Sequence, residues 1–402
     1  MWRWLSGSSR DRWGIRRLSS SIRHRVVDEG DWSYSSEWWD PASDGHTIFR
    51  KVSNHGNGIV SVATSPASTP LVEQWFQTEK WLQHRYAKMH PESNSKDHQF
   101  KVLGYQWRTL RFNDDTRQST VKVMAACQPS DPGSVILMQQ SHCLAVPYVK
   151  SMVSVGLTAL ASSSFDLLQA VLGKKSMNIL CIGHGGGTIP LFLASKIKGA
   201  RVHVVEIDPV VVQASVEAMG FPSFNPTHRF IWDETLESRI SIHVSDAHDY
   251  IQKDSNIYDL VFVDAYDGND IFPCKLWDIN GDFLPNLVNR VNPVHGTVVV
   301  NLHSDCDVPA GGDDSPFFQS LLPLGKYVQK VCRAYKGHFG EAFTVAVPEL
   351  CNITLVACKG KIFDNRNLLL SQLASKSNLV ESLLNLKFSC LDYVKRGLML
   401  VK

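Results

Sequence analysis

The chain has 402 residues, 44% hydrophobic and 20% charged, with a formal charge of +2 at pH 7. That composition suits an ordinary globular chain with a large core, and the near-neutral balance disfavours a nucleic-acid backbone as partner. No apolar run approaches the roughly 20 residues a bilayer crossing needs, so stable membrane insertion is not expected.

In chain order, residues 1–25 come first. "MWRWLSGSSRDRWGIRRLSSSIRHR" holds seven arginines and a single acid, Asp11. Such a segment suits a cationic amphipathic helix and resembles an organelle import presequence, most like a mitochondrial one. The other reading is a basic tail on a cytoplasmic protein. Residues 26–98 read as an irregular and helical extension, tryptophan-rich over 32–39. Its clearest element is a helix in "TPLVEQWFQTEKWLQHRYAKMH", where Leu71, Trp75, Leu82 and Tyr86 recur at helical offsets.

Residues 99–146 shorten to "YQWRTLRF", "QSTVKVMAAC" and "SVILMQQSHCLA", separated by "NDDTR" and "QPSDPG". This spacing predicts a small antiparallel β unit. Residues 147–363 open with the helix "PYVKSMVSVGLTALASSS" and then alternate strand and helix as a βαβ sheet does. Strands are expected at "MNILCIG", "RVHVVEI", "RISIHVSD", "YDLVFVDAY" and "GTVVVNLHS", with "KYVQKVCRAY" and "AFTVAV…NITLVAC" as further edge strands. Residues 364–402 read as a helical segment that packs on the sheet. The nine cysteines are scattered without a CxxC pair, the pattern of small apolar fillers in a reduced protein. Neither they nor the histidines have the spacing of a metal site, and none is expected.

The chemistry concentrates after the first parallel strand. Gly183, Gly185, Gly186 and Gly187 follow "MNILCI" and precede "TIPLFLASKI", which lets the backbone turn sharply and approach a ligand at the strand's carboxyl end. Thr188 is expected to cap the following helix. Glu206 closes the next strand, where a carboxylate accepts both hydrogen bonds of a ribose diol. Asp208, followed by Pro209, suits a helix cap. No GK[ST] follows the glycines, which excludes a Walker A loop. The glycines and acid alone fit a dinucleotide site equally well. Asp246, placed to reach an adenine amine, and Asp264 with Asp267 at the same sheet edge favour a cationic sulfonium ligand instead.

Together, Gly183–Gly187, Glu206, Asp246 and the Asp264–Asp267 pair resemble the class I methyltransferase fold, in its spermidine-synthase-like branch. "GHGGGTIPLFLASKIKGARVHVVEIDPVVVQASVEAMGF" is most similar to the methyltransferases that modify translation elongation factor 1A on lysine and its amino terminus. The resemblance implies an α/β, Rossmann-like seven-stranded sheet with a small N-terminal antiparallel β unit, and S-adenosyl-L-methionine as cofactor. By that likeness Gly183, His184, Gly185 and Gly187 hold the methionine portion, Glu206 the ribose, and Asp246 with Ala247 the adenine. Asp264 then touches cofactor and acceptor, Asp264 and Asp267 orient and help deprotonate an amine, and Tyr148 and Tyr266 line the acceptor channel. The acceptor so implied is a protein amine, and the β unit covers the site and contributes to a homodimer.

Two alternatives stay open. Polyamine synthases of this fold use a D-S-S-D-P pattern, and "DAYDG" keeps its spacing, so aminopropyl transfer from decarboxylated S-adenosylmethionine is the first. Against it, Gly268 replaces the proline and the usual upstream acidic run is absent. The second is a catalytically silent fold used for interaction. Asn301 and His303 at the fifth strand's end, and His338 and Glu341 in "KGHFGEAF", are further polar groups on the expected substrate side.

Overall fold

The structure, a computed structural model, describes residues 45–69, 72–92, 99–114, 116–223, 232, 234–305, 324–347, 351–360 and 365–402. The arginine-rich 1–25 and the tryptophan-rich 32–39 lie outside the described residues.

Strands β1 (His46–Val52) and β2 (Ile59–Pro66) precede helix α1 (Val72–Met89). Strands β3 (Lys101–Phe112), β4 (Thr116–Gln128) and β5 (Asp131–Gln139) follow it, and all five pair antiparallel in chain order. The sequence predicts only the last three, so β1 and β2 correct the reading of their stretch as irregular and helical. Only Phe49 of β1 is buried, which hides the two-residue alternation that marks a strand.

Helix α2 (Pro147–Ala161) leads into the second sheet, where β6 (Met177–Ile182), helix α3 (Thr188–Lys196) and β7 (Ala200–Glu206) form the first βαβ unit. Helix α4 (Pro209–Met219), β8 (Ile240–Val244), helix α5 (Ala247–Lys253) and β9 (Leu260–Val263) come next. Helix α6 (Phe283–Arg290) and β10 (Thr297–His303) complete five parallel strands in the order β10-β9-β6-β7-β8. Helix α7 (Lys326–Phe339) then precedes the antiparallel strands β11 (Glu341–Ala346) and β12 (Asn352–Cys358). Helices α8 (Arg366–Leu384) and α9 (Cys390–Lys395) end in β13 (Met399–Leu400), which pairs with β11.

The sheet therefore has eight strands where seven are expected, the extra one being the two-residue β13. A second correction concerns "KYVQKVCRAY", expected as an edge strand but part of helix α7. Its buried residues Val328, Val331, Cys332, Tyr335 and Phe339 recur at three- and four-residue offsets, which a strand cannot bring to one face.

Every residue of α2 is buried. A Cβ at Gly156 would stand 2.7 Å from Val299, so this glycine lets α2 lie close on β10. No helix among the described residues is long and apolar enough to cross a membrane. A separate apolar cluster joins the sheets: Val60, Val62, Leu110 and Val121 pack with Val211, Ala214, Ala218 and Met219 of α4. That contact seats the antiparallel sheet beside the carboxyl ends of β6 and β7.

Candidate functional site

Strand order reverses between β6 and β9, which opens a crevice at their carboxyl ends. Ile182 pairs with Val205 on one side and Val263 on the other, so Gly183, Glu206 and Asp264 emerge side by side. Gly183 has φ +90°, and a Cβ there would meet Asp264 O at 2.1 Å. Only glycine allows that bend and that approach. The crevice holds about 1270 Å³, open mouth included. Its walls bring together Tyr148, Gly183, His184, Gly185, Glu206, Asp246, Ala247, Asp264, Tyr266 and Asp267.

Gly187 does not line it. This glycine, at φ +76°, is the N-cap of α3, and a Cβ there would overlap the Phe221 ring. Packing explains it, not ligand contact. Thr188 is correspondingly the first helical residue rather than the cap, and its hydroxyl has no partner.

Glu206 is buried at the crevice floor, with Oε2 accepting from His184 N (2.9 Å) and Oε1 from Asp208 N (3.0 Å). Burial pushes its carboxyl above the ordinary glutamate value, against those two donors. Asp208 caps α4 through Oδ1, which accepts from Val210 N at 2.8 Å, while Oδ2 accepts from Asn57 Nδ2 at 2.8 Å. The His184 ring turns toward α4. Its Nε2 lies 2.7 Å from Ser215 Oγ and its edge meets Phe221, and burial lowers its pKa to about 4. Its contribution to the crevice is thus the backbone, with a neutral ring behind.

Asp246 caps α5 by accepting from His248 N at 2.8 Å, so capping and crevice lining fall on one residue. Lys275 Nζ stands 3.7 Å from its other oxygen. Ligand atoms of Asp246, His248 and Asp249 lie within 4.8 Å of one another, but that ammonium already faces the group. His243 stacks on His203 beside Tyr250, away from the crevice.

At the far end Asp264 is half-buried, and Oδ1 accepts from Asn301 Nδ2 at 2.9 Å. Desolvation raises its carboxyl above the ordinary aspartate value. The Tyr148 hydroxyl donates to Gln118 O (3.2 Å), and burial plus the neighbouring Asp264 push it well up. Tyr266 donates to Asn301 O (2.9 Å) and stacks on His303, whose centroid lies 4.4 Å away. His303 Nδ1 in turn lies 3.0 Å from Asp270 Oδ2. Asp267 is placed differently from Asp264: its Oδ1 accepts from Asn269 N and Ile271 N, both at 2.9 Å, and so shapes the loop.

His338 and Glu341 do not reach the site. Glu341 pairs with Cys358, which pairs with Thr297 at the start of β10, the edge opposite the crevice. Residues missed in the sequence come from the antiparallel sheet: His55, Asn57, Gln118 and Ser119 all line the crevice. The signal was "SNHGNG", a turn between "HTIFRKV" and "IVSVATSP" that marks a hairpin.

No family model matches the chain. It is 34% identical over 101 residues to a polyamine aminopropyltransferase of Vibrio vulnificus, covering 24% of this chain and 29% of that protein. It is 28% identical over 81 residues to the eEF1A lysine and N-terminal methyltransferase of Mus musculus, covering 20% of this chain and 10% of the relative. Both relatives are group transferases. The chain spans less than a third of the length of either. Among solved structures, human methyltransferase-like protein 13 in complex with SAH aligns with TM-score 0.43 at 19% identity, over 60% of this chain and 93% of that one.

Proposed function

We propose that the chain is an S-adenosylmethionine-dependent methyltransferase acting on a protein amine, either a lysine side chain or an amino terminus. The carrying observation is Glu206: a buried carboxylate at the end of the second parallel strand, with both oxygens oriented, facing a crevice bounded by the Gly183 bend. Burying a carboxylate is costly unless it is hydrogen-bonded; His184 N and Asp208 N supply part of that compensation, and a ribose diol in the crevice would add two further donors. Asp246 and Ala247 line the wall suited to an adenine, and Gly183 with Gly185 the wall suited to the amino-acid portion.

When bound, S-adenosylmethionine supplies a methyl group made electrophilic by the sulfonium. The chain supplies position. Asn301 holds the Asp264 carboxylate, Tyr148 and Tyr266 wall the space beside it, and an incoming amine is oriented by hydrogen bonding to that carboxylate. Its raised pKa brings Asp264 closer to the range in which it accepts a proton from an ammonium. Alignment and desolvation then provide most of the rate gain.

The aminopropyl reading has support of its own in the Vibrio relative and the Asp264–Asp267 spacing. Against it, Asp267 lines the crevice but has Oδ1 engaged by two loop amides, which leaves one oxygen for a second amine. Incubation with translation elongation factor 1A and S-adenosylmethionine, beside putrescine and the decarboxylated form, separates the two. Methyl on a protein amine is expected; spermidine formation instead would reverse the assignment. We also infer mitochondrial import from the arginine-rich 1–25, which an intact Met1 on the cellular protein would contradict.

A further inference from the structure

The antiparallel sheet does more than lie beside the crevice. Its first turn, Ser53–Gly58, crosses from one end of the site to the other and is fastened at both. At the ribose end, Asn57 is buried and donates Nδ2 to Asp208 Oδ2 at 2.8 Å, between residues 151 apart in the chain. Asp208 itself is fully buried, and its own N–H donates to Glu206 Oε1. At the acceptor end, Asn113 Nδ2 donates to Gly268 O at 3.1 Å, while Asn113 Oδ1 accepts from Ile59 N just past the turn. Gly268 packs so closely that a Cβ there would stand 2.5 Å from Gly56 O. The turn thus touches the loop that follows β9, next to Asp267.

We propose that this turn is a latch over the crevice and that Asn57 is a positioning residue, acting through Asp208 on the Glu206 carboxylate. An amide is the side chain this place requires. It donates to Asp208, whose other oxygen is occupied at the cap of α4, where a carboxylate would set two acceptors against each other. His55 and Asn57 of the turn line the crevice together with Glu206, while the Ser119 and Val121 side chains of β4 pack on Gly185 and Gly186. A ligand the size of a nucleoside leaves only when the turn lifts. That role in exchange rests on the nucleoside reading of the crevice; the seating of the latch does not.

Two substitutions unseat the turn by different physics. Asn57→Asp is isosteric and removes the donor, so a residue that merely filled space would tolerate it. Gly268→Ala drives a methyl group to 2.5 Å from Gly56 O and 2.9 Å from the Asn57 backbone, leaving the Asn57 amide and the Asp208 carboxylate chemically unchanged, at a backbone angle alanine accepts. Hydrogen–deuterium exchange on the full chain without ligand is expected to rise about tenfold or more at 53–58 and at 206–208 in both variants, with 177–182 staying slow. In the Asn57→Asp protein, exchange at 206–208 as slow as in the unaltered chain would overturn the latch. The second arm adds S-adenosylhomocysteine. Its dissociation from either variant is expected to be about tenfold faster, and an unchanged rate would remove the gating role. Failure of the unaltered chain to bind that nucleoside would sink the functional reading, while the exchange arm still decides the latch.

Discussion

Asp264 and Glu206 show how a site is read from single residues. Glu206 is buried and Asp264 half-buried, and desolvation raises both above their ordinary values. A carboxyl whose folded pKa is raised stabilises the fold fully below its unfolded value, 3.8 for aspartate, and loses that contribution as pH climbs through the raised value. Asparagine imitates the protonated form. Asp264→Asn is therefore expected to unfold a few degrees higher than the unaltered chain at pH 7, to lose transfer activity, and to approach the unaltered midpoint as pH falls toward 4. Thermal scans across that range check it, and a gap independent of pH would contradict the burial argument. At this scale the sequence was most informative where a residue's place follows from a strand's end. Glu206, Asp246 and Asp264 all close or follow parallel strands, and the sheet delivers them to one edge. It was least informative for His184 and Gly187, because the Ser215 and Phe221 contacts that explain them depend on how α4 packs.

Among the elements, the bend after β6 and helix α7 give opposite lessons. The bend announces itself through four glycines, and its strictest position is Gly183. Gly183→Ala places a methyl group against the Asp264 carbonyl at a positive φ, an expected cost of about 2–4 kcal/mol in denaturant unfolding. A loss below about 0.5 kcal/mol would mean that the two backbones separate easily there. Helix α7 hid behind β-branched and aromatic residues whose local preference favours a strand, and tertiary packing decided otherwise. A strand would put 331, 333 and 335 on one face, whereas the helix buries Val331 and Tyr335 and exposes Arg333. Val331→Asp is expected to cost about 3 kcal/mol or more, and Arg333→Asp less than about 0.5. Equal costs in equilibrium unfolding would speak against that helical face. Strand β1 was hidden for another reason: it is an edge strand almost wholly in solvent, so burial left little pattern in its sequence.

For the whole molecule, the parallel sheet sets out a floor and the antiparallel sheet supplies a wall. The βαβ alternation makes the first legible because its central strands β6, β9 and β10 are buried almost throughout and bounded by turn residues. The second contributes Asn57, Gln118 and Ser119 across long chain separations, which no local period encodes. What the assembled molecule is built to hold is the question on which the rest turns. Calorimetric titration of the full chain with S-adenosylmethionine and with its decarboxylated form, repeated on Glu206→Ala, asks it directly. The expected result is one site per chain that prefers the intact cofactor and weakens about tenfold or more without the Glu206 carboxylate. Preference for the decarboxylated form, or an affinity indifferent to Glu206, would contradict it.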